Sequence, residues 1–215
     1  MSRQPDLTKS QLFLDDTWVE YQQRLQRLWH KADIFPEPVL RPEKPWEGTD
    51  VLLYGTVFKL GETWRMYYSV RKPGESPVMC LAESNDGLQW HRPVLGQVEY
   101  EGSKENNIVM RPVDLPTICH DPEDSEAPFK MITHLGKPGG IYGAISKDGL
   151  RWSMLPGPLI APSTDVQHIM FSKVNGKYVV ILKTPGGPDR YGTRCVSISE
   201  SEDFRTFSEP ELILR

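Results

Sequence analysis

Four acidic residues of this 215-residue chain stand where a repeated fold could bring carboxylates together: Glu47 and Asp50, Asp121, and Asp165. Two carboxylates facing one bond, one protonated and one ionised, can do general acid–base work. A third close by raises the pKa of the acid through like-charge repulsion. The spacing supports such a grouping. Aligning Trp64 with Tyr178, which both open a predicted second strand, gives an offset of 114, and Asp50 then falls on Thr164, one short of Asp165. Asp121 stands eight residues before Phe129, in His-Asp-Pro. Glu47 and Asp50 compete for the first position, because a one-residue slip in a strand reverses the face that a side chain takes. Each acid also has a structural reading. Asp before Pro starts turns, and most carboxylates are simply solvated.

The elements that must position these residues are repeated. Ser84-Asn-Asp-Gly-Leu-Gln-Trp90 recurs as Ser146-Lys-Asp-Gly-Leu-Arg-Trp152, 62 residues later. A degenerate third copy is assigned to Ser199–Phe207. Asp-Gly is a tight-turn signal, since Gly accepts a positive φ and Asp bonds its own backbone. Ser adds a second side-chain bond. Asp86 and Asp148 are therefore turn formers. Apolar strands precede each corner. The first unit has 51–58, 64–70 and 78–82, with a fourth strand from Trp90. The second has 117–120, 129–135 and 141–145, then Trp152 onward. The third has 167–174, 178–183 and 195–199, then 205–207. Gly61-Glu62 and Asn175-Gly176 sit where hairpins need turns. About four strands per unit predicts an all-β fold of propeller blades. Residues 1–48 form an N-terminal extension and a Pro-rich loop. Within it 18–32 fits an amphipathic helix and 25–30 alternatively a strand.

Composition narrows the function. Nineteen Pro and 17 Gly suit many short strands and turns, and a net charge of −4 leaves no basic footprint for nucleic acid. Cys80, Cys119 and Cys195 have neither zinc spacing nor a disulfide pattern, and read as buried thiols of a reducing compartment. No membrane span or leader is visible, so the expected location is cytoplasmic. Neither a metal nor a cofactor is called for.

Leu12-Phe-Leu-Asp-Asp16, Pro38-Val-Leu40, Pro45-Trp-Glu-Gly48, Arg65-Met-Tyr-Tyr68, Ala82 to Trp90, Ser103-Lys-Glu-Asn-Asn-Ile-Val109, Asp121-Pro122 and Asp165-x-Gln167 occur in this order. The set resembles the five-bladed β-propellers related to glycoside hydrolase families 43 and 32. The resemblance implies an incomplete propeller here, with three blades at about 49–112, 113–162 and 163–215. It implies hydrolysis of a glycosidic bond by paired carboxylates in the central funnel, through an oxocarbenium-like transition state. Asp121 and Asp165 are the leading catalytic candidates, with Asp50 or Glu47 as the third. Retaining and inverting outcomes both stay open. Substrate-binding candidates are Trp46, which could stack on a sugar face, His120, Gln167, His168 and Arg190. Gln167 and His168 alternate along one strand, so only one of them faces the funnel. The partner implied is carbohydrate, with self-association covering open blade faces. A non-catalytic carbohydrate-binding propeller is the competing reading.

Overall fold

The computed structural model describes residue 16 and residues 19–135, 139–161, 167–172, 175–185 and 194–214. Asp165 and Arg190 lie outside the described residues. Contacts divide the chain into two units, Met1–Glu37 and Pro38–Arg215. In the first, the described residues form neither the helix expected over 18–32 nor the strand expected over 25–30. Arg24 takes φ 57°, which interrupts both periodicities. Tyr21, Leu25, Leu28 and Trp29 are all at least two-thirds exposed. A short helix that buries no apolar stripe has little to stabilise it.

The second unit holds three antiparallel sheets. The first contains β1 (Val51–Leu52), β2 (Val57–Leu60), β3 (Thr63–Val70), β4 (Val78–Ser84) and β5 (Ile108–Met110). β1 and β2 both pair with β3 and act as one interrupted strand. The interruption passes Gly55, where a Cβ would sit 1.7 Å from the Tyr67 carbonyl oxygen. The second sheet contains β6 (Asp114–His120), β7 (Phe129–His134), β8 (Ile141–Ser146) and β9 (Ser153–Ile160). The third contains β10 (Gln167–Ser172), β11 (Lys177–Pro185), β12 (Arg194–Ser201) and β13 (Glu211–Leu214). In each sheet the strands follow one another in chain order.

Two expected strands are not where the sequence set them: 205–207 belongs to the third corner and its exit, with β13 supplying that sheet's last strand, and none forms from Trp90. After the first corner the chain makes a single bridge, Glu83 to His91, instead of a strand from Trp90. It returns eighteen residues later as β5. Asparagines hold the intervening excursion. Asn106 donates to the Val98 carbonyl at 2.8 Å and accepts from the Ile108 amide at 3.0 Å, and Asn107 donates to the Leu81 carbonyl at 2.7 Å.

The corners form as their chemistry demands. Asp86 Oδ1 accepts from the Leu88 and Gln89 amides at 2.8 and 2.7 Å, while Ser84 Oγ accepts from the Gly87 amide at 2.9 Å. Trp90 folds back and donates its indole N–H to the Gly87 carbonyl at 3.0 Å. Asp148, Ser146 and Trp152 repeat this set. The third copy sits two residues later than the sequence suggested. Its serine is Ser201, bonded to Asp203, which accepts from the Arg205 and Thr206 amides at 2.7 and 2.8 Å. Phe204 occupies the glycine position at φ 58°, against 76° at Gly87 and 74° at Gly149. Bonds from the backbone amides hold the carboxyls of Asp86 and Asp203 below the usual aspartate range.

The sheets stack face to face. Tyr67, Met79 and Leu81 of the first meet Ile118, Phe129 and Met131 of the second. The second sheet's other face, with Cys119, Ile132 and Ile141, meets Ile169, Tyr178, Val180 and Leu182 of the third. The far face of the first sheet, with Met66, Tyr68 and Cys80, is covered by Val39, Leu40, Trp46, Trp90 and Tyr100. All three cysteines are buried free thiols.

Candidate functional site

The strands that begin each sheet run the same way, which defines a leading end where they start and a trailing end where they finish. Gln167, the first residue of β10, donates from Nε2 to the Leu115 carbonyl near the start of β6, at 2.7 Å. Arg71, just past the end of β3, grips Asp114, the first residue of β6, with Nε and Nη2 at 2.7 and 2.9 Å. The last residue of β3, Val70, pairs with Val51 at the start of β1. Asp50, Asp114 and Gln167 therefore share the leading end.

Asp121 does not. It follows the last residue of β6 and belongs to the trailing end. Its carboxylate is 4% exposed in residue terms and already bonded. Oδ1 accepts from the Glu123 amide at 3.0 Å, the turn expected of Asp-Pro, and Oδ2 accepts from the Tyr178 hydroxyl at 2.6 Å. Tyr178 lies opposite Phe171 near the end of β10. Burial and the Asp121 carboxylate both push the Tyr178 phenol above its ordinary range, so it stays a donor at any physiological pH. Lys130 lies over the Tyr178 ring and bonds Asp124. Asp121 thus ties the second sheet to the third. Tyr178→Phe leaves its buried oxygen without that donor, and is expected to cost about 1–3 kcal/mol of stability in urea denaturation.

Glu47 is also committed. It is fully buried in the 3-10 turn Pro45–Glu47. Its oxygens accept from the Glu43 and Lys44 amides at 2.8 and 3.0 Å, from the Tyr68 hydroxyl at 2.6 Å, and from Arg92 Nε at 2.6 Å. Burial pushes its pKa upward, but the bonds from Arg92, the Glu43 amide, Tyr68 and the Lys44 amide outweigh it, and the carboxyl titrates below the usual range. Glu47 fastens the Pro-rich segment to the first sheet. Trp46 does the same. Its indole N–H donates to Asn107 Oδ1 at 2.8 Å, and the ring meets Tyr100 edge-on. These contacts hold the half-buried Trp46 against the first sheet.

Asp50 is exposed and accepts from Thr49 Oγ1 at 2.8 Å. His120 stacks among Phe58 and Phe129 at the trailing end, with ring centroids 6.4 and 4.8 Å away. Gln167 is buried and His168 exposed, the alternation expected of a strand. Gln167 Oε1 and Thr117 Oγ1 are buried and have no hydrogen-bond partner among the described residues. Asp114 was not anticipated from the sequence. Among the described residues no group of three or more His, Cys, Asp or Glu is placed to hold a metal ion.

No protein-family model matches the sequence, and no curated protein matches it. Solved structures do. A glycosyl hydrolase from Bacteroides ovatus aligns at 18% identity with a TM-score of 0.53, over 79% of this chain and 52% of that one. A second structure represents the GH130 family of mannoside phosphorylases, which contains glycoside hydrolases that target β-1,2-mannosidic linkages in Candida mannan. It aligns at 16% identity and a TM-score of 0.55, over 82% of this chain and 58% of that one. β-1,2-Mannobiose phosphorylase from Listeria innocua, in complex with β-1,2-mannobiose, aligns at 13% identity and a TM-score of 0.50, over 80% of this chain and 62% of that one. The chain spans between half and two-thirds of the length of these structures. At such identities the likeness is one of fold, and the all-β fold of this chain is that of glycoside hydrolase-like proteins.

Proposed function

We propose that the three sheets are successive blades, about 49–112, 113–162 and 163–215, of a β-propeller of the five-bladed glycosidase type. The chain engages carbohydrate at the leading end of its inner strands. The observation that carries this reading is the convergence of three strand starts there, through Gln167 on Leu115 and Arg71 on Asp114. Solved structures of the same fold are described as acting on glycosidic linkages. Cleavage of such a bond needs a protonated and an ionised carboxyl group. Asp50 stands at this end, and Asp165 precedes Gln167 by two residues in the sequence. Those two are the pair proposed for the chemistry, with Asp114 beside them. Asp121, at the other end, is left out of it.

A second reading, carbohydrate binding without cleavage, is favoured by one observation. Both carboxylate oxygens of Asp114 already accept from Arg71, so that carboxyl serves the join between the end of β3 and the start of β6. One experiment separates the two. The chain is offered β-1,2-mannobiose and a panel of oligosaccharides, with and without inorganic phosphate. Binding is read by calorimetry and cleavage by product chromatography. Cleavage that falls by about 100-fold or more in Asp165→Asn or Asp50→Asn, but stays near wild type in Asp121→Asn, supports the enzymatic reading. Binding without turnover supports the second. Neither binding nor turnover rejects both.

A further inference from the structure

The break in the first sheet's inner strand carries two large exposed side chains. β1 ends at Leu52 and β2 begins at Val57. Between them Leu53 is 57% and Tyr54 41% exposed. Neither belongs to a core cluster. Among the described residues the Tyr54 hydroxyl has no hydrogen-bond partner, and no aromatic ring or cation faces its ring. Tyrosines that join the sheets are bonded by contrast: Tyr67 donates to the Gly149 carbonyl at 2.9 Å, and Tyr178 to Asp121.

The backbone beside Tyr54 is fixed from two sides. The Thr56 carbonyl accepts from the Tyr67 amide of β3 at 2.9 Å. Thr56 Oγ1 accepts from the Ile118 amide of β6, also at 2.9 Å. Gly55 sets the direction. A Cβ there would run into the Tyr67 carbonyl oxygen, so position 55 is aimed at β3. Successive side chains of an extended backbone point to opposite sides, and Tyr54 is therefore aimed away from β3. On that side β1 and β2 have no strand partner, and β6 and β10 are likewise the open-edged first strands of their sheets. In the proposed propeller these open edges surround the axial cavity. A side chain on such an edge faces the cavity and not the face of a neighbouring blade. Tyr54 follows Asp50, at the leading end, by four residues, at most about 14 Å of chain.

The phenol ring offers a flat apolar face with negative charge density over it. The C–H face of a sugar ring matches that surface, since it is apolar and its hydrogens are slightly positive. Because the segment is pinned at Gly55 and Thr56, the platform is preorganised and little ordering opposes binding. With no cation beside the ring, an acidic sugar has no partner there. We propose that Tyr54 is the stacking platform for one ring of a neutral oligosaccharide whose other end lies at the leading end beside Asp50. This rests on the carbohydrate reading above and adds the ligand class: at least two uncharged rings, one of them with an open C–H face.

Calorimetry with mannose, β-1,2-mannobiose and a panel of longer neutral oligosaccharides tests the proposal, together with the proton spectrum of tyrosine-labelled protein. Tyr54→Ala is expected to weaken the best-bound oligosaccharide by about 10-fold, and Tyr54→Phe by less than about 2-fold, since the face and not the hydroxyl makes the contact. Leu88→Ala, at an exposed position of the first corner, is expected to bind as wild type does. The Tyr54 ring protons, assigned by their absence in Tyr54→Phe, are expected to shift when wild type is saturated with that oligosaccharide. Binding that Tyr54→Ala leaves unchanged, with unshifted ring protons, overturns this inference alone and leaves the carbohydrate reading standing. An equal loss in Tyr54→Phe overturns stacking in favour of a hydroxyl bond. A wild-type chain that binds no sugar of the panel overturns both readings. If Tyr54→Ala loses its folded signal, the ring-proton shift in wild type decides: its presence supports the platform and its absence rejects it.

Discussion

Replacing Glu47 by alanine is expected to lower folding stability by about 3–5 kcal/mol, because it strands a buried guanidinium. The Arg92 side chain is 8% exposed and Glu47 is 0% exposed. Removing the carboxylate takes both Glu47 bonds from Arg92 and leaves it the Arg41 carbonyl and the exposed Glu43. It also takes the acceptor from the Tyr68 hydroxyl, which keeps only its bond from Asn107. A double-mutant cycle with Arg92→Met isolates the cause. If the stranded charge dominates, Glu47→Ala combined with Arg92→Met loses much less than the sum of the single losses. Additive losses would assign the effect to the backbone amides of Glu43 and Lys44 instead.

The same residue predicts a pH dependence. The folded carboxyl titrates below the ordinary range, so its bonds contribute stability that is fully present above the unfolded value, about 4.3. That contribution is lost as pH falls through the lower, folded value. Glu47→Gln should therefore show a flatter stability profile than wild type below about pH 4.3. Parallel profiles would show that other carboxylates carry the acid sensitivity.

Phe204→Gly sets two effects against each other, and their sizes decide the sign. Phe204 stands in the corner's glycine position at φ 58°, a conformation that costs an L-residue roughly 1–2 kcal/mol. Glycine removes that strain. Yet the Phe204 ring is buried, touches Tyr178 and Phe207 edge-on, and belongs to the core between the second and third sheets. Truncating a buried Phe costs about 3–5 kcal/mol. The expected net result is a loss of about 1–4 kcal/mol, read as a lower urea midpoint at unchanged m-value. A gain in stability would mean that backbone strain, not packing, governs the third corner.

These residues also show where sequence reading succeeds and where it stops. The corners were legible because their chemistry is local. Ser and Asp bond amides two or three residues away, so the heptad carries its own instructions. The hairpin turns at Gly61-Glu62 and Asn175-Gly176 were legible for the same reason. The third corner was placed two residues early because Phe204 removes the glycine cue while the backbone keeps the glycine conformation. Asp114 lies outside the first strand expected for the second unit, 117–120, and Pro116 just before that stretch has no amide to give a ladder. The chain instead absorbs the proline in an irregularity between Asp114 and Thr117, with Leu115 at φ 50°. The end of the strand is unaffected, and Asp121 follows it in both the expected and the observed bounds. The bonds from Arg92 to Glu47 and from Tyr178 to Asp121 span 45 and 57 residues. No local pattern announces contacts of that range.

The irregularity at Leu115 bears on the order in which the chain folds. A strand whose register contains an extra residue can slide, and sliding by one exchanges its two faces. What pins β6 at that point is the bond to the Leu115 carbonyl from Gln167, 52 residues further along. The second sheet can form its hairpins early from local contacts, but the start of β6 gains this constraint only when β10 arrives. Such long-range closures are the slow part of folding a β-protein. A nascent chain ending before residue 167 would hold the start of β6 through Arg71 on the Asp114 carboxylate and Thr133 on its carbonyl, without the bond to Leu115.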